Sequence, residues 1–143
     1  MLRIGKLTDY AMLILSQMAK EPDSVLSAAS LADALHLPAP TASKILKILS
    51  DATLVTSVRG AEGGYRLARP SASITLADII GAMEGEFAMT ECCDSTRLCA
   101  IDSMCTLRGN WRKINGMVHS LLAKVTILDM LEPICVEGWQ HGK

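Results

Sequence analysis

The chain has 143 residues, which is enough to bury the core of one domain and too few for a large multidomain enzyme. Half of the residues are hydrophobic and a fifth are charged, which excludes a disordered protein, and no apolar run approaches the roughly 20 residues that cross a bilayer. The formal net charge of −1 excludes a global electrostatic attraction to nucleic acid. We expect a soluble, cytoplasmic chain with no cleaved leader and no membrane partner.

Two helices are predicted near the start of the chain. Thr8 is expected to cap the first helix, which ends near Lys20, before a proline. Its apolar stripe consists of residues three and four apart, of which only the glutamine is polar: Tyr10, Leu13, Ile14, Gln17 and Met18. Ser27 precedes a short second helix, AASLADALHL, and the segment LPAP that follows favours a stiff turn.

The third predicted helix, PTASKILKILSDA, has Pro40 in its first turn. Its apolar residues recur at i, i+3, i+4 and i+7 and are predicted to face inward: Ala42, Ile45, Leu46 and Leu49. Ser43, Lys44 and Lys47 fall on the outward flank.

A β-hairpin is predicted next, because the spacing of apolar residues changes after this helix. LVTSVR is rich in β-branched residues, the glycines of GAEGG supply a turn, and YRL resumes the alternation. Two short helices followed by such a hairpin indicate a winged helix-turn-helix, in a chain that is otherwise mainly α.

A fourth helix is predicted from Thr75, with Asp78 as its capping partner and Gly85 just past its end. No periodicity continues through 86–106, and four of the five cysteines lie there. A long helix is then predicted over 107–131. It has more apolar surface than one small domain needs, so it either folds back on its own core or packs against a second copy as a dimerisation helix.

The cysteines provide the strongest local signal. Cys93, Cys99 and Cys105 are separated by equal gaps of five residues, and Cys92 precedes the first of them. Thiolates bind soft metals and iron–sulfur iron, and this spacing lacks the paired CxxC knuckles of zinc ribbons. The alternative is that the cysteines are incidental, with one or two of them sensitive to oxidation.

Three sulfurs leave a fourth ligand position open. From the residues alone the candidates are Asp102 within the loop, His119 on the last helix and Cys135 in the tail. Spacing does not choose among them.

Positive charge is concentrated in 41–70, which has five basic residues against Asp51 and Glu62. In a winged helix, the outward flank of the third helix would enter a major groove and the wing would contact phosphates or the minor groove. The candidate DNA-binding residues are Thr41, Ser43, Lys44, Lys47, Arg59, Gly60 and Arg66. The alternative is a solvated charged face. The glycine-rich turn gives only weak support for nucleotide binding, because no GKS or GKT follows it.

Three features in chain order carry a family resemblance: the opening LTDYAM, the block LVTSVRGAEGGYRL and the cysteine triplet. Together they resemble the IscR and NsrR family of bacterial iron–sulfur transcription regulators, closest in kind to regulators of SUF-system assembly. The resemblance covers roughly residues 1–131. It implies a homodimer, a long crossing dimerisation helix, and a cluster ligated by Cys93, Cys99 and Cys105.

Two departures from that family bear on the site. IscR-like members have a histidine ligand three residues after the third cysteine, where this chain has Arg108. NsrR-like members use an aspartate of the partner subunit, and Asp9 occupies the matching position, so Asp9 is the candidate fourth ligand; alternatively, it only favours the helix dipole. Ser43 stands where IscR-like members have an acidic residue for site discrimination.

The resemblance divides the chain into a winged helix-turn-helix DNA-binding domain (1–85), a cluster-binding loop (86–106), a dimerisation helix (107–131) and a tail (132–143). We expect a transcription regulator rather than an enzyme. It would repress iron–sulfur assembly genes at a double-stranded DNA operator through a 2Fe-2S or 4Fe-4S cluster. The alternatives are a nitric-oxide or redox-stress regulator of the same fold and, less favoured, a thiol oxidoreductase or cluster carrier.

Overall fold

The computed structural model describes residues 3–135. Six α-helices and one two-stranded antiparallel sheet follow one another in these residues: α1 (Lys6–Lys20), α2 (Ala28–Leu35), α3 (Ala39–Asp51), β1 (Val55–Val58), β2 (Gly64–Leu67), α4 (Leu76–Glu84), α5 (Arg108–Leu122) and α6 (Ile127–Met130). The predicted fold class, mainly α with a hairpin wing, is confirmed. No helix within this part of the chain is both long and apolar enough to cross a membrane.

Helix α1 lies at the centre of the structure and packs against α2, α3, α4, α6 and β2. Its N-cap is Gly5, so the prediction that Thr8 caps the helix was wrong. Thr8 instead lies in the first turn, on the same face as the buried residues that follow it: Ala11, Ile14, Leu15 and Met18. Leu13 of the predicted stripe is 44% exposed, because the inward face is rotated toward Leu15.

Helices α2 and α3 form the helix-turn-helix as predicted. The Ser27 hydroxyl caps α2 by accepting a hydrogen bond from the Ser30 amide at 3.0 Å. The four residues of α3 that were predicted to face inward are all fully buried: Ala42, Ile45, Leu46 and Leu49. Burial of this whole face determines which flank of α3 remains in solvent.

Both helices of the motif end at a residue that is left-handed but is not glycine. These are His36, with φ 54°, and Thr53, with φ 59°. After Thr53, the Leu54 amide donates to the Leu49 carbonyl at 2.9 Å, which is a Schellman turn. A β-branched residue is strained in this conformation, because its Cβ approaches the backbone closely.

The hairpin is attached to the helices through Tyr65, whose backbone exchanges two 2.8 Å hydrogen bonds with Leu26. This attachment requires a glycine at position 64, since a Cβ there would lie 2.5 Å from the Leu26 carbonyl oxygen. The segment before α2 therefore acts as a third strand for one residue and fixes the wing against the helix-turn-helix.

The last helical region differs from its prediction. The capping box of α4 between Thr75 and Asp78 is present as predicted, but Thr126 and Asp129 form a second one that starts α6. The long helix therefore ends at Leu122 instead of residue 131. Hydrogen bonds from the amide and, to a smaller extent, the hydroxyl of Thr126 also lower the pKa of Asp129.

Helix α6 belongs to the same core as α1 to α4, although the predicted winged-helix domain ended at residue 85. The Ile127 side chain is fully buried there, and the Ile127 amide donates to the Ile74 carbonyl at 2.9 Å. A strand-like bridge between Thr75 and Thr126 places the two capping boxes side by side. Residues 132–135 of the predicted tail form no helix or strand, and the rest of it lies outside the described residues.

The left-handed Thr53 gives a prediction about stability. Replacing Thr53 with Asn should raise the free energy of unfolding by about 1 kcal/mol, because Asn tolerates this region several-fold better than a β-branched residue. Urea denaturation measures the change. Thr56→Asn, in the extended strand β1, is the control and should give no gain. A Thr53→Asn protein no more stable than the wild type would contradict the strain argument.

Candidate nucleic-acid interface and candidate metal centre

The outward flank of α3 carries the polar side chains that the sequence analysis selected. Ser43, Lys44 and Lys47 are exposed, and Thr41 in the first turn is half-buried. Since the opposite face of α3 is fully buried, these side chains project from a rigid support. The structure brings all four candidate residues of this helix onto one accessible surface.

The remaining candidates lie on the hairpin. Arg66 is paired with Thr56 across the two strands, and both side chains are exposed. Arg59 follows β1 directly, and Gly60 then turns the chain with φ 121° and accepts a 3.0 Å hydrogen bond from the Gly63 amide. A Cβ on Gly60 would meet no atom within 4 Å, so glycine is needed there for its backbone conformation rather than for space.

The basic residues of this surface are available for a partner. In the part of the chain that the structure describes, none of the following side chains forms an ion pair: Lys44, Lys47, Arg59 and Arg66. Arg69 differs, because its guanidinium lies 3.0 Å from the Asp78 carboxylate. The basic block of residues 41–70 therefore presents four free cations instead of five.

The cysteine loop between α4 and α5 has little regular structure, apart from a 3-10 turn at Glu91–Cys93. The predicted ligands Cys93, Cys99 and Cys105 are half-buried, and each is a free thiol. Across residues 3–135, no three His, Cys, Asp or Glu side chains converge on a common metal position. The loop thus supplies three soft donors whose sulfurs must move toward one another to bind one metal ion or cluster.

Two polar residues of α5 hold the first part of this loop, and the sequence analysis missed both. The Asn115 side chain accepts from the Met89 amide at 2.9 Å and donates to the Phe87 carbonyl at 3.3 Å. The Arg112 Nε donates to the Cys92 carbonyl at 3.0 Å. Their spacing of three residues, which places both on the same side of α5, was the available signal.

Cys92 and Cys93 share one polar contact. Both sulfurs lie near the Thr90 hydroxyl oxygen, at 3.1 and 3.2 Å. Further along the loop, hydrogen bonds from the hydroxyl and the amide of Thr96 lower the pKa of Asp94. The polar side chains at this end of the loop therefore find their hydrogen-bond partners within the loop itself.

Arg108 has a structural partner at the position where the IscR-like pattern has histidine. Its guanidinium lies 2.8 Å from the Asp102 carboxylate, and the ion pair spans Cys105. One oxygen of Asp102 and the Nε of Arg108 are buried without hydrogen-bond partners. Asp102 is thus engaged with Arg108 in this structure.

The other candidates for a fourth ligand form no metal-binding group with the triplet in the described residues. Asp9 is exposed in the first turn of α1. His119 is exposed on α5 with its ring 6.4 Å from the Phe87 ring, and Cys135 is exposed at the end of the described chain. None of them joins two other ligands within residues 3–135.

Helix α5 leaves an apolar stripe uncovered. None of its 15 residues is buried. The exposed large side chains of the stripe, including Leu107 just before the helix, recur at three- and four-residue steps: Leu107, Trp111, Ile114, Met117 and Leu121. A contiguous stripe of this kind is typical of a protein interface.

Residues 4–133 match the family model Rrf2, described as "Iron-dependent Transcriptional regulator". This chain belongs to the Rrf2 family. It is therefore a transcription regulator with a DNA-binding winged helix, and not an enzyme. The resemblance to IscR- and NsrR-type regulators is confirmed by relatives and structures that carry those names.

Two relatives show how far the similarity of this Rrf2 protein extends. The chain is 33% identical over 132 residues to "Protein aau3" of Rhizobium meliloti, covering 92% of this chain and 86% of that one. It is 28% identical over 133 residues to the HTH-type transcriptional regulator NsrR of Oceanobacillus iheyensis, covering 92% and 90%.

Two solved structures share the fold of this Rrf2 chain. CymR (YrzC), the global cysteine regulator of B. subtilis, is 30% identical with a TM-score of 0.75, covering 92% of this chain and 97% of that one. T. potens IscR is 27% identical with a TM-score of 0.69, covering 91% and 86%.

The contacts of Asn115 give a prediction about the loop. Asn115→Ala should increase the exchange rate of the Met89 amide about tenfold, because its hydrogen-bond acceptor is removed. Hydrogen exchange of peptides from residues 86–92 measures this rate. Ser120→Ala, an exposed change on the same helix, should leave exchange unaltered. Equal exchange in the Asn115→Ala protein and the wild type would show that Asn115 does not anchor the loop.

Proposed function

We propose that this Rrf2 protein is a homodimeric repressor of iron–sulfur cluster assembly genes and that its DNA affinity follows the state of a cluster bound in the loop. The observation that carries the proposal is the set of three free, half-buried thiols placed between a winged helix and an uncovered apolar helix.

The DNA-reading surface consists of the exposed flank of α3 and the wing. In a winged helix, α3 would lie in the major groove with Thr41, Ser43, Lys44 and Lys47 toward the bases and phosphates. Arg59, Gly60 and Arg66 would follow the backbone or the adjacent minor groove. The four cations without ion pairs in the described structure support this placement, since phosphate contacts supply most of the affinity.

The uncovered stripe of α5 supports a homodimer. Met117 is 72% exposed, and a soluble monomer rarely leaves a row of such side chains in water. Packing of two α5 helices about a two-fold axis would cover both stripes with one self-complementary surface. Two reading heads would then meet half-sites about one helical turn apart.

The donor set of the loop fits an iron–sulfur cluster. Cys93, Cys99 and Cys105 are free thiols, and thiolate sulfur is the ligand that 2Fe-2S and 4Fe-4S clusters use. With Arg108 engaged by Asp102, the fourth ligand would be the exposed carboxylate of Asp9 from the partner subunit. When bound, the cluster supplies a group that is lost under oxygen, nitric oxide or iron shortage.

Sensing requires that binding of the cluster to the loop stabilise one conformation of the dimer over another. A nearly complete shift between two conformations needs a differential binding energy of roughly 5.5 kcal/mol. The loop can respond because it is held to α5 by a few hydrogen bonds, whereas α3 is held by a buried face. A change in the loop therefore leaves the DNA-reading surface of each subunit intact and alters the position of the two surfaces relative to each other.

DNA binding should depend steeply on salt. If the dimer neutralises six to ten phosphates, its affinity for the upstream region of its own gene should fall about 10³- to 10⁵-fold between 50 and 200 mM salt. Lys47→Ala should lower the slope of log affinity against log salt by about one for each phosphate that is no longer neutralised. Fluorescence anisotropy measures both, with Lys20→Ala as a control on the remote end of α1. A flat salt dependence would contradict the proposed interface.

Cluster binding should depend on the triplet. Cys99→Ala should abolish the visible absorbance of anaerobically reconstituted protein, whereas Cys135→Ala should keep it, because Cys135 lies outside the triplet. Asp9→Ala should shorten the lifetime of the cluster in air, with Asp23→Ala as the matched surface control.

Measurement of iron and acid-labile sulfide tests the assignment of the cysteine triplet and Asp9 as cluster ligands. A Cys99→Ala protein with full iron content would contradict the ligand assignment, and an unchanged lifetime in Asp9→Ala would remove Asp9 from it. Wild-type protein with neither iron nor sulfide after reconstitution would contradict the cluster itself.

A further inference from the structure

We propose that Glu84 is a positioning residue that connects the cysteine loop to α1 by capping this helix from outside. The inference rests on the proposed function, because it states how a change in the loop reaches the DNA-binding domain. The contact itself is a property of the protein chain alone and can be tested without a cluster.

Glu84 supplies the hydrogen bond to the N-cap amide that no residue of α1 itself supplies. The N-cap is Gly5, which has no side chain to bond the free amides of the first turn. One oxygen of the Glu84 carboxylate, Oε1, accepts from the Gly5 amide at 2.7 Å and from the Thr8 hydroxyl at 2.5 Å. In an ordinary capping box, the acid three residues into the helix bonds the N-cap amide, and here Thr8 holds that place. Glu84, which lies 79 residues after Gly5, accepts the hydrogen bond from the Gly5 amide instead.

The surroundings make this contact specific. Thr8 is 1% exposed and is the one polar residue in the buried set of the described chain, so its hydroxyl depends on a protein partner. A Cβ on Gly5 would lie 3.1 Å from the same carboxylate oxygen, which shows how closely Glu84 approaches the backbone. The carboxylate also faces the positive end of the α1 dipole.

Glu84 stands where three parts of the molecule meet. It is the last residue of α4, and the loop leaves the domain immediately after Gly85, whose φ is 87°. A cavity of about 560 Å³ at this point is lined by Ile4 before α1, by Glu84 and Phe87, and by Val118 of α5. Displacement of the start of the loop would therefore also move Glu84, which contacts the start of α1.

On the other side of the contact, Thr8 adjoins Asp9, the candidate ligand. The same turn leads into the buried face of α1 that packs against α3. One carboxylate thus joins the origin of the cysteine loop to the helix that carries Asp9 and supports the reading helix. Movement of either end is transmitted through two hydrogen bonds rather than through a flexible linker.

The capping contact is tested in protein without a cluster. Glu84→Ala should speed exchange of the Gly5 amide about tenfold, because this amide loses its acceptor, and should leave residues 13–20 unaffected. Glu84→Gln keeps an oxygen acceptor and should restore most of the protection. Glu21→Ala removes an exposed acid at the other end of α1 and is the control. Unchanged exchange in Glu84→Ala would overturn the capping role.

The connection is tested by the ratio of DNA affinities with and without the cluster. In Glu84→Ala this ratio should fall at least about tenfold toward one, and Glu84→Gln should recover it, because a ratio is insensitive to stability alone. A wild-type ratio in Glu84→Ala, together with altered exchange, would overturn the connection and leave only a structural cap. If wild-type protein takes up no cluster, the proposed function fails and the connection with it, whereas amide exchange still decides the cap.

Discussion

Burial of one face of α1 holds the DNA-binding domain together. The face formed by Ala11, Ile14, Leu15 and Met18 packs against helices from both sides, including α6 from the end of the described chain. Since these side chains are enclosed on all sides, α3 and α6 cannot move independently of α1. The first turn of the same helix carries Asp9 and is contacted by Glu84, so the packed core, one candidate ligand and the end of α4 meet at one helix end.

The two functional regions differ in how firmly they are held. The proposed DNA-reading flank of α3 is backed by a fully buried face, and the wing is fixed by paired backbone hydrogen bonds between Tyr65 and Leu26. The cysteine loop has instead a few polar contacts, of which those from Asn115 and Arg112 come from α5. A rigid reader next to a loosely held loop suits a sensor, because ligand binding can reorganise the loop without unfolding the reader.

The basic residues of this protein, whose net charge is −1, fall into two groups: some form ion pairs within the chain and others do not. Arg69 and Arg108 are committed to carboxylates within the chain, at Asp78 and Asp102. The cations of α3 and the wing remain free in the described structure, so attraction to DNA depends on a local patch. Arg108, which stands where the IscR-like pattern has histidine, is one of these paired residues.

The sequence alone determined the helix-turn-helix, the hairpin and the outward flank of α3, because these depend on residue spacing within short segments and on caps such as Ser27 and Thr75. It also identified the cysteine triplet, since thiol chemistry is a property of the residues themselves. Only the tertiary structure decided that α5 ends at Leu122, that Ile127 returns to the core and that Glu84 caps α1. Each of these depends on contacts between residues that are distant in sequence, for which local periodicity carries no information.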